Sequence, residues 1–159
     1  MRTKKQLGKQ YTQHGKGKIL LQTIFTTLAF FISIASVCAD SQIRWKDVNS
    51  GLQEGKQSHK YVLVDVYTEW CGWCKSLDRD TFSNQDLIHF LESKFVCVKA
   101  NAEDNGPGQK MAGEYGVNGY PCALVFDQNG KLIGRIIGYK DANGYQTALS
   151  NVLINPSTK

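Results

Sequence analysis

An α/β three-layer sandwich, with a mixed central sheet and helices on both faces, is the fold class this sequence predicts, and three observations predict it. Apolar, β-branched runs alternate with helical patterns along the chain. The run Tyr61-Val62-Leu63-Val64-Asp65-Val66-Tyr67 is too uniformly apolar for an edge strand and reads as a central one, covered on both sides. The last two runs, Cys122–Phe126 and Leu132–Ile137, are joined across Asp127-Gln128-Asn129-Gly130, whose Asn-Gly pair signals an antiparallel hairpin.

The first helix falls on Asp47 to Gln57, with Val48 and Leu52 on one face and Gly51 and Gly55 weakening it. After the central strand, Trp70-Cys71-Gly72-Trp73-Cys74-Lys75 opens a helix expected to run from Cys71 to about Thr81. Ser83-Asn84-Gln85-Asp86 reads as an N-cap ahead of Leu87, Ile88 and Leu91, the apolar face of a further helix. Phe95–Ala100 is a strand, Asn105-Gly106-Pro107-Gly108 a loop, and Gln109–Tyr115 a short helix ended by Gly116. The last helix starts near Asp141 and runs to about Leu153, with Tyr145, Leu149 and Val152 at helical spacing. No internal repeat or low-complexity stretch interrupts the chain from Asp40 onward.

The 159 residues suffice for one domain whose core needs no disulfide staples. The formal net charge of +5 suggests a basic protein, but Arg2, Lys4, Lys5, Lys9, Lys16 and Lys18 all precede residue 19, and no acidic residue occurs before Asp40. Of 19 basic residues, 13 then remain against 14 acidic ones, a net charge of −1 from Asp40 onward with no basic stripe, which argues against nucleic-acid binding. The basic stretch is followed by the apolar run Ile19 to Val37 and by Val37-Cys38-Ala39, the pattern of a secretory signal with small residues at the cut. The expected organisation is therefore a signal segment over 1–39, cleaved after Ala39, and one folded domain over 40–159. An uncleaved membrane anchor and a lipidated Cys38 are the alternatives, and each places the folded part outside the cytoplasm.

Cleavage leaves Cys71, Cys74, Cys97 and Cys122. Cys97 lies in Phe95-Val96-Cys97-Val98 and Cys122 in Cys122-Ala123-Leu124-Val125-Phe126, both strand-like runs, so both are expected as buried free thiols rather than as a structural disulfide. Cys71 and Cys74 differ: strand, cysteine pair and helix come in that order. At a helix start the unpaired N–H groups and the helix dipole favour a thiolate on the first sulfur, which makes an exchangeable disulfide. A permanent bridge is the weaker reading, because so small a loop adds little constraint. A closed zinc site would need a second closely spaced Cys or His pair, whereas Cys97, Cys122, His59 and His89 are scattered. Asp65 is the second candidate, a carboxylate in an apolar strand, where burial is costly and raises its pKa toward general-base work. Glu69 reads as a solvated charge.

The segment from Val62-Leu63-Val64-Asp65 through Cys74-Lys75 closely resembles the active-site strand and helix of the thioredoxin family, and Gly116-Val117-Asn118-Gly119-Tyr120-Pro121 is similar to that family's approach to its cis-proline. The likeness covers roughly Val48 to Val152, and Lys75-Ser76-Leu77-Asp78 with Thr81-Phe82 looks more like exported thioredoxin-like proteins than the cytosolic reductants. It implies a thioredoxin-like sandwich in which Cys71 attacks a partner and Cys74 resolves the mixed disulfide. It implies that Asp65 relays the Cys74 proton, that Lys99 pairs with Asp65, and that a cis Pro121 lies against the cysteines while Tyr120 offers backbone hydrogen bonds to a substrate peptide. Trp70 matches the family and is expected to shield the pair beside Gly72. Three positions depart from the pattern: Trp73, where proline or histidine is usual; Tyr120, where smaller side chains are usual; and Cys122 directly after the proline.

The resulting expectation is an exported, periplasmic thiol–disulfide oxidoreductase acting on protein disulfides and dithiols, monomeric and without organic cofactor or metal. Asp65, Lys99 and the lack of an active-site histidine point to a reductant, supplied with electrons by a separate redox partner protein, membrane-embedded or otherwise. Trp70, Gly72, Trp73, Tyr120 and Pro121 form the expected substrate surface. The competing class is a non-catalytic module of the same fold, carrying a soft metal such as copper on Cys71, Cys74 and Cys122 or binding a client.

Overall fold

Five of the seven residues of Tyr61–Tyr67 (β1) are buried, and this strand forms the middle of the sheet. The computed structural model describes residues 42–157; the expected signal segment, its expected cut after Ala39 and Cys38 lie outside the described residues. β1 runs parallel to Phe95–Asn101 (β2), with Leu63 opposite Cys97 and Asp65 opposite Lys99. On its other side it runs antiparallel to Cys122–Phe126 (β3), with Asp65 opposite Ala123. Leu132–Ile137 (β4) pairs antiparallel with β3, so the order is β2-β1-β3-β4.

Helices cover both faces. Leu63, Cys97 and Val125 pack with Leu91 of Gln85–Lys94 and with Tyr145 and Leu149 of Ala142–Ile154. The opposite face, Val62, Val64, Val98 and Leu124, packs with Val48 of Val48–Ser58 and Met111 of Pro107–Glu114. In chain order the helices are Val48–Ser58 (α1), Gly72–Ser76 (α2), Gln85–Lys94 (α3), Pro107–Glu114 (α4) and Ala142–Ile154 (α5). The expected mixed sheet between two helical layers is the observed architecture.

Two local readings change and a third is borne out. The helix expected from Cys71 to Thr81 is two pieces: α2 ends at Ser76 and widens into a π-helical turn, Leu77–Thr81, closed by the Phe82 N–H on the Leu77 carbonyl at 2.9 Å. The loop assigned to Asn105-Gly106-Pro107-Gly108 contains the first turn of α4, because Pro107 starts that helix and Asp104 accepts the N–H groups of Gly106, Gly108 and Gln109. The hairpin turn holds, organised by Asp127, whose carboxylate accepts the N–H groups of Asn129 and Lys131 at 2.8 and 2.9 Å.

Gly51 and Gly55 are the face of α1 that touches the sheet rather than weak points in it. A Cβ at Gly51 would lie 2.2 Å from Val98 Cγ2, and one at Gly55 2.2 Å from Val62 Cγ2. Gly55→Ala is accordingly expected to cost about 1–3 kcal/mol by forcing α1 off β1, read as a lower urea midpoint. Ahead of α1, Lys46 lies along the outer side of β2: its N–H donates to the Cys97 carbonyl, and its carbonyl accepts the Lys99 N–H.

Candidate active site

Cys71 is the residue where the chain leaves β1 and enters α2. Its N–H donates to the Thr68 carbonyl at 3.2 Å, its extended backbone caps the helix, and its Sγ accepts the Cys74 N–H at 3.0 Å. Cys71 and Cys74 are joined by a disulfide with their Cα atoms 5.3 Å apart. At 5% exposure Cys71 is nearly as buried as Cys74 at 2%. What separates the two sulfurs is the helix N-cap: the backbone donor is aimed at Cys71.

The exposed surface around them is aromatic. Trp70 and Trp73 are 67% and 63% exposed. The Trp70 ring meets Tyr120 edge-on with centroids 6.0 Å apart, and its Nε1 donates to Glu103 at 3.0 Å. Trp73 stacks at a tilt on Tyr139, 5.5 Å between centroids. Trp70 is thus fixed on the rim by Tyr120 and Glu103 while most of its surface stays open to solvent. Gly72 is exposed with open space where a Cβ would be. The Tyr120–Pro121 peptide is cis. The Pro121 carbonyl accepts the N–H of Gly138, a residue at φ +76° that side chains would strain, so the turn carrying Tyr139 is tied to the proline. Nothing local in the sequence marks Tyr139 or Glu103, because their ring and hydrogen-bond partners are remote in the chain.

Behind the helix, Asp65 is 1% exposed and points to the same sheet face as Leu63. Its Oδ2 accepts from Lys99 Nζ at 2.7 Å, while its Oδ1 is buried without a partner. Lys99 Nζ also donates to Asp78, one turn beyond Cys74. Burial drives the Asp65 pKa above the usual carboxylate value, and Lys99 opposes only part of that rise. For Lys99, burial works against the charge but is outweighed by Asp65 and Asp78, which raise its pKa. Asp78 is the site residue the sequence analysis did not single out; its spacing of four from Cys74 is the signal that was available.

Cys97 and Cys122 are buried free thiols, as expected. Burial pushes Cys97 up to about 12 and raises Cys122 as well. Glu69 is exposed, with Asn101 Nδ2 at 3.5 Å. Among the described residues, no group of three or more His, Cys, Asp or Glu side chains is placed to hold a metal ion, and no helix is long and apolar enough to cross a membrane.

A family model described as a thioredoxin-like domain matches residues 48–153. The thiol:disulfide interchange protein DsbD of Photorhabdus laumondii is 32% identical over 111 residues, 68% of this chain and 19% of that protein. A protein disulfide-isomerase of Hordeum vulgare is 32% identical over 101 residues, 64% of this chain and 19% of its own length. The chain thus spans about a fifth of the length of these curated relatives. A thioredoxin from Thermus thermophilus, 24% identical, superposes with a TM-score of 0.63 over 72% of this chain and 88% of that one, a likeness of fold.

Proposed function

Since this chain belongs to the thioredoxin-like family, we propose that it is a thiol–disulfide oxidoreductase of an exported compartment, exchanging disulfides with protein partners through Cys71 and Cys74. The observation that carries this reading is the Cys71 sulfur, placed at the helix N-cap and receiving the Cys74 N–H. The donor that holds the disulfide also stabilises the thiolate left when it opens, which favours exchange over permanence.

In the reducing direction, the Cys71 thiolate attacks a partner disulfide and forms a mixed disulfide. Asp65 takes the Cys74 proton; the Cys74 sulfur then bonds to Cys71 as the bond from Cys71 to the partner breaks, and the partner leaves reduced. Two features support Asp65 in that role. It lies on the sheet face that packs against Leu77, three residues beyond Cys74, and Lys99 ties it to Asp78 on the same turn. The exposed rings of Trp70 and Trp73, with half-buried Tyr120, supply an apolar surface for a partner's chain beside the buried cis Pro121. The basic and apolar N-terminus over 1–39 supports export to the periplasm, the chain acting there as a monomer. A reductant in that compartment would draw its electrons from a separate redox protein.

The test is the reduction potential of the Cys71–Cys74 pair, equilibrated in glutathione redox buffers. A value near about −250 mV or lower supports a reductant, and one above about −150 mV an oxidant. Absence of any reversible couple would overturn the catalytic reading in favour of a metal-carrying or client-binding module.

A further inference from the structure

We propose that Asp78 is a positioning residue for Asp65: by sharing the Lys99 ammonium it keeps that charge from neutralising the buried carboxylate, so that Asp65 stays basic enough to take the Cys74 proton. The inference rests on the thiol-exchange reading above and adds to it a residue outside the cysteine motif.

Lys99 Nζ stands at a fork, between an Asp65 carboxylate that is 1% exposed and an Asp78 carboxylate that is 47% exposed. It is also held from the side, 4.8, 5.1 and 5.3 Å from the ring centroids of Trp45, Tyr67 and Phe82. A lysine on a free stem would swing wholly toward either acid. A lysine held among three rings is divided between them by their relative pull, and Asp78 supplies the pull away from Asp65. The consequence shows on Asp65, where Lys99 engages Oδ2 alone and leaves buried Oδ1 without a donor. Oδ1 is then the oxygen able to accept a proton. A groove of about 380 Å³, lined by Asp78 and Lys99 with Gln42, Trp45 and Phe82, opens onto this ammonium. Trp70, Trp73, Tyr120 and Tyr139 take no part in lining it, so solvent reaches the fork independently of the aromatic rim.

In the resolving step, the Cys74 thiol gives its proton to Asp65, and the Cys74 sulfur forms its bond to Cys71 while the Cys71–partner bond breaks. The two cysteines are oxidised, and the partner departs as a thiolate carrying the electron pair. The charged and titratable groups that act on Asp65 come from each element around it: Lys99 and Cys97 from β2, Asp78 from the π-helical turn, Cys122 from β3 and Tyr145 from α5. Cys97, Cys122 and Tyr145 are all shifted upward by burial and stay neutral near pH 7, which leaves Lys99 and Asp78 as the two charges that tune it.

The experiment follows the reduced full chain reacting with 5,5′-dithiobis(2-nitrobenzoate) by stopped flow, across pH. The first thiolate released reports attack by Cys71, and the second reports resolution by Cys74. In Asp78→Asn, Lys99 turns wholly to Asp65, so the acidic limb of the second phase should move to lower pH by about half a unit or more and its plateau should fall. Asp78→Glu should restore the wild-type limb, and Lys99→Met should move it upward. Asp78→Ser serves as the second neutral variant if the asparagine form does not fold. An unmoved limb in both neutral variants, or a glutamate variant behaving like asparagine, would overturn the role of Asp78. A wild-type chain with no second phase would instead overturn the exchange reading beneath it.

Discussion

Cys74→Ser is expected to lower turnover by roughly 10³-fold or more, the scale of removing one member of a unit that acts together, while the protein accumulates as a covalent adduct with its partner. The reason lies in the division of labour at the N-cap. Cys71 keeps the helix donors that stabilise its thiolate, so attack still occurs, but no second sulfur stands behind it to release the product. Among the described residues, neither remaining thiol can substitute. Cys97 and Cys122 are buried in strands, and burial holds both in the protonated form, Cys97 up at about 12. A partner-sized band on a non-reducing gel, abolished by dithiothreitol, checks the adduct. Cys71→Ser should give neither adduct nor turnover. A Cys74→Ser variant that turned over near the wild-type rate would show that resolution does not need Cys74.

Asp65→Asn is expected to cost roughly 10²-fold in the resolving rate, as for loss of a general base, and yet to stabilise the fold at neutral and alkaline pH. The two effects have one origin. Burial raises the Asp65 pKa in the folded state, so the native protein holds that proton more tightly than the unfolded chain does. The resulting stabilisation is present below the unfolded carboxylate value and is lost as pH rises through the folded one. Asparagine has no proton to lose and escapes that decline. Its urea midpoint should exceed the wild-type midpoint at pH 8, and the gap should close toward pH 4. Lys99 keeps Asp78 as a partner in the variant, which limits the penalty of leaving an ammonium half-buried. A midpoint difference that did not change with pH would contradict the assignment of a raised pKa to Asp65.

The sheet was legible because its strands are short, apolar and punctuated: Tyr61–Tyr67, Cys122–Phe126 and Leu132–Ile137 fall where the apolar runs place them. The π-helical turn was not, since adding one residue to a single turn leaves the apolar spacing of Leu77 and Thr81 compatible with an ordinary helix. Gly51 and Gly55 misled for a different reason. Helix propensity weighs a glycine by its own flexibility, whereas these two are set by the nearness of Val98 and Val62, which is a property of the packed pair. In the site, the cysteines announce themselves by spacing. The Asp65–Lys99 pair was expected from the family resemblance, and its register across β1 and β2 bears that pairing out. The contact of Trp73 with Tyr139 and the fork at Asp78 arise only when distant segments meet, so nothing local encodes them.

The short stretch that sets Lys46 against β2 has a consequence for self-association. An exposed strand border is a template on which another molecule can crystallise a further strand, and uncontrolled growth of that kind leads to fibrils. Here the middle of the β2 border is already occupied, because Lys46 takes both the Cys97 carbonyl and the Lys99 N–H. The β4 border, beyond β3 in the order of the sheet, is engaged at one point, where the Ser157 N–H donates to the Ile133 carbonyl at 2.8 Å. Stacking one copy on the next through a continuous ribbon requires two free borders per molecule, so a copy added at β4 finds no matching ladder on its far side and the ribbon stops.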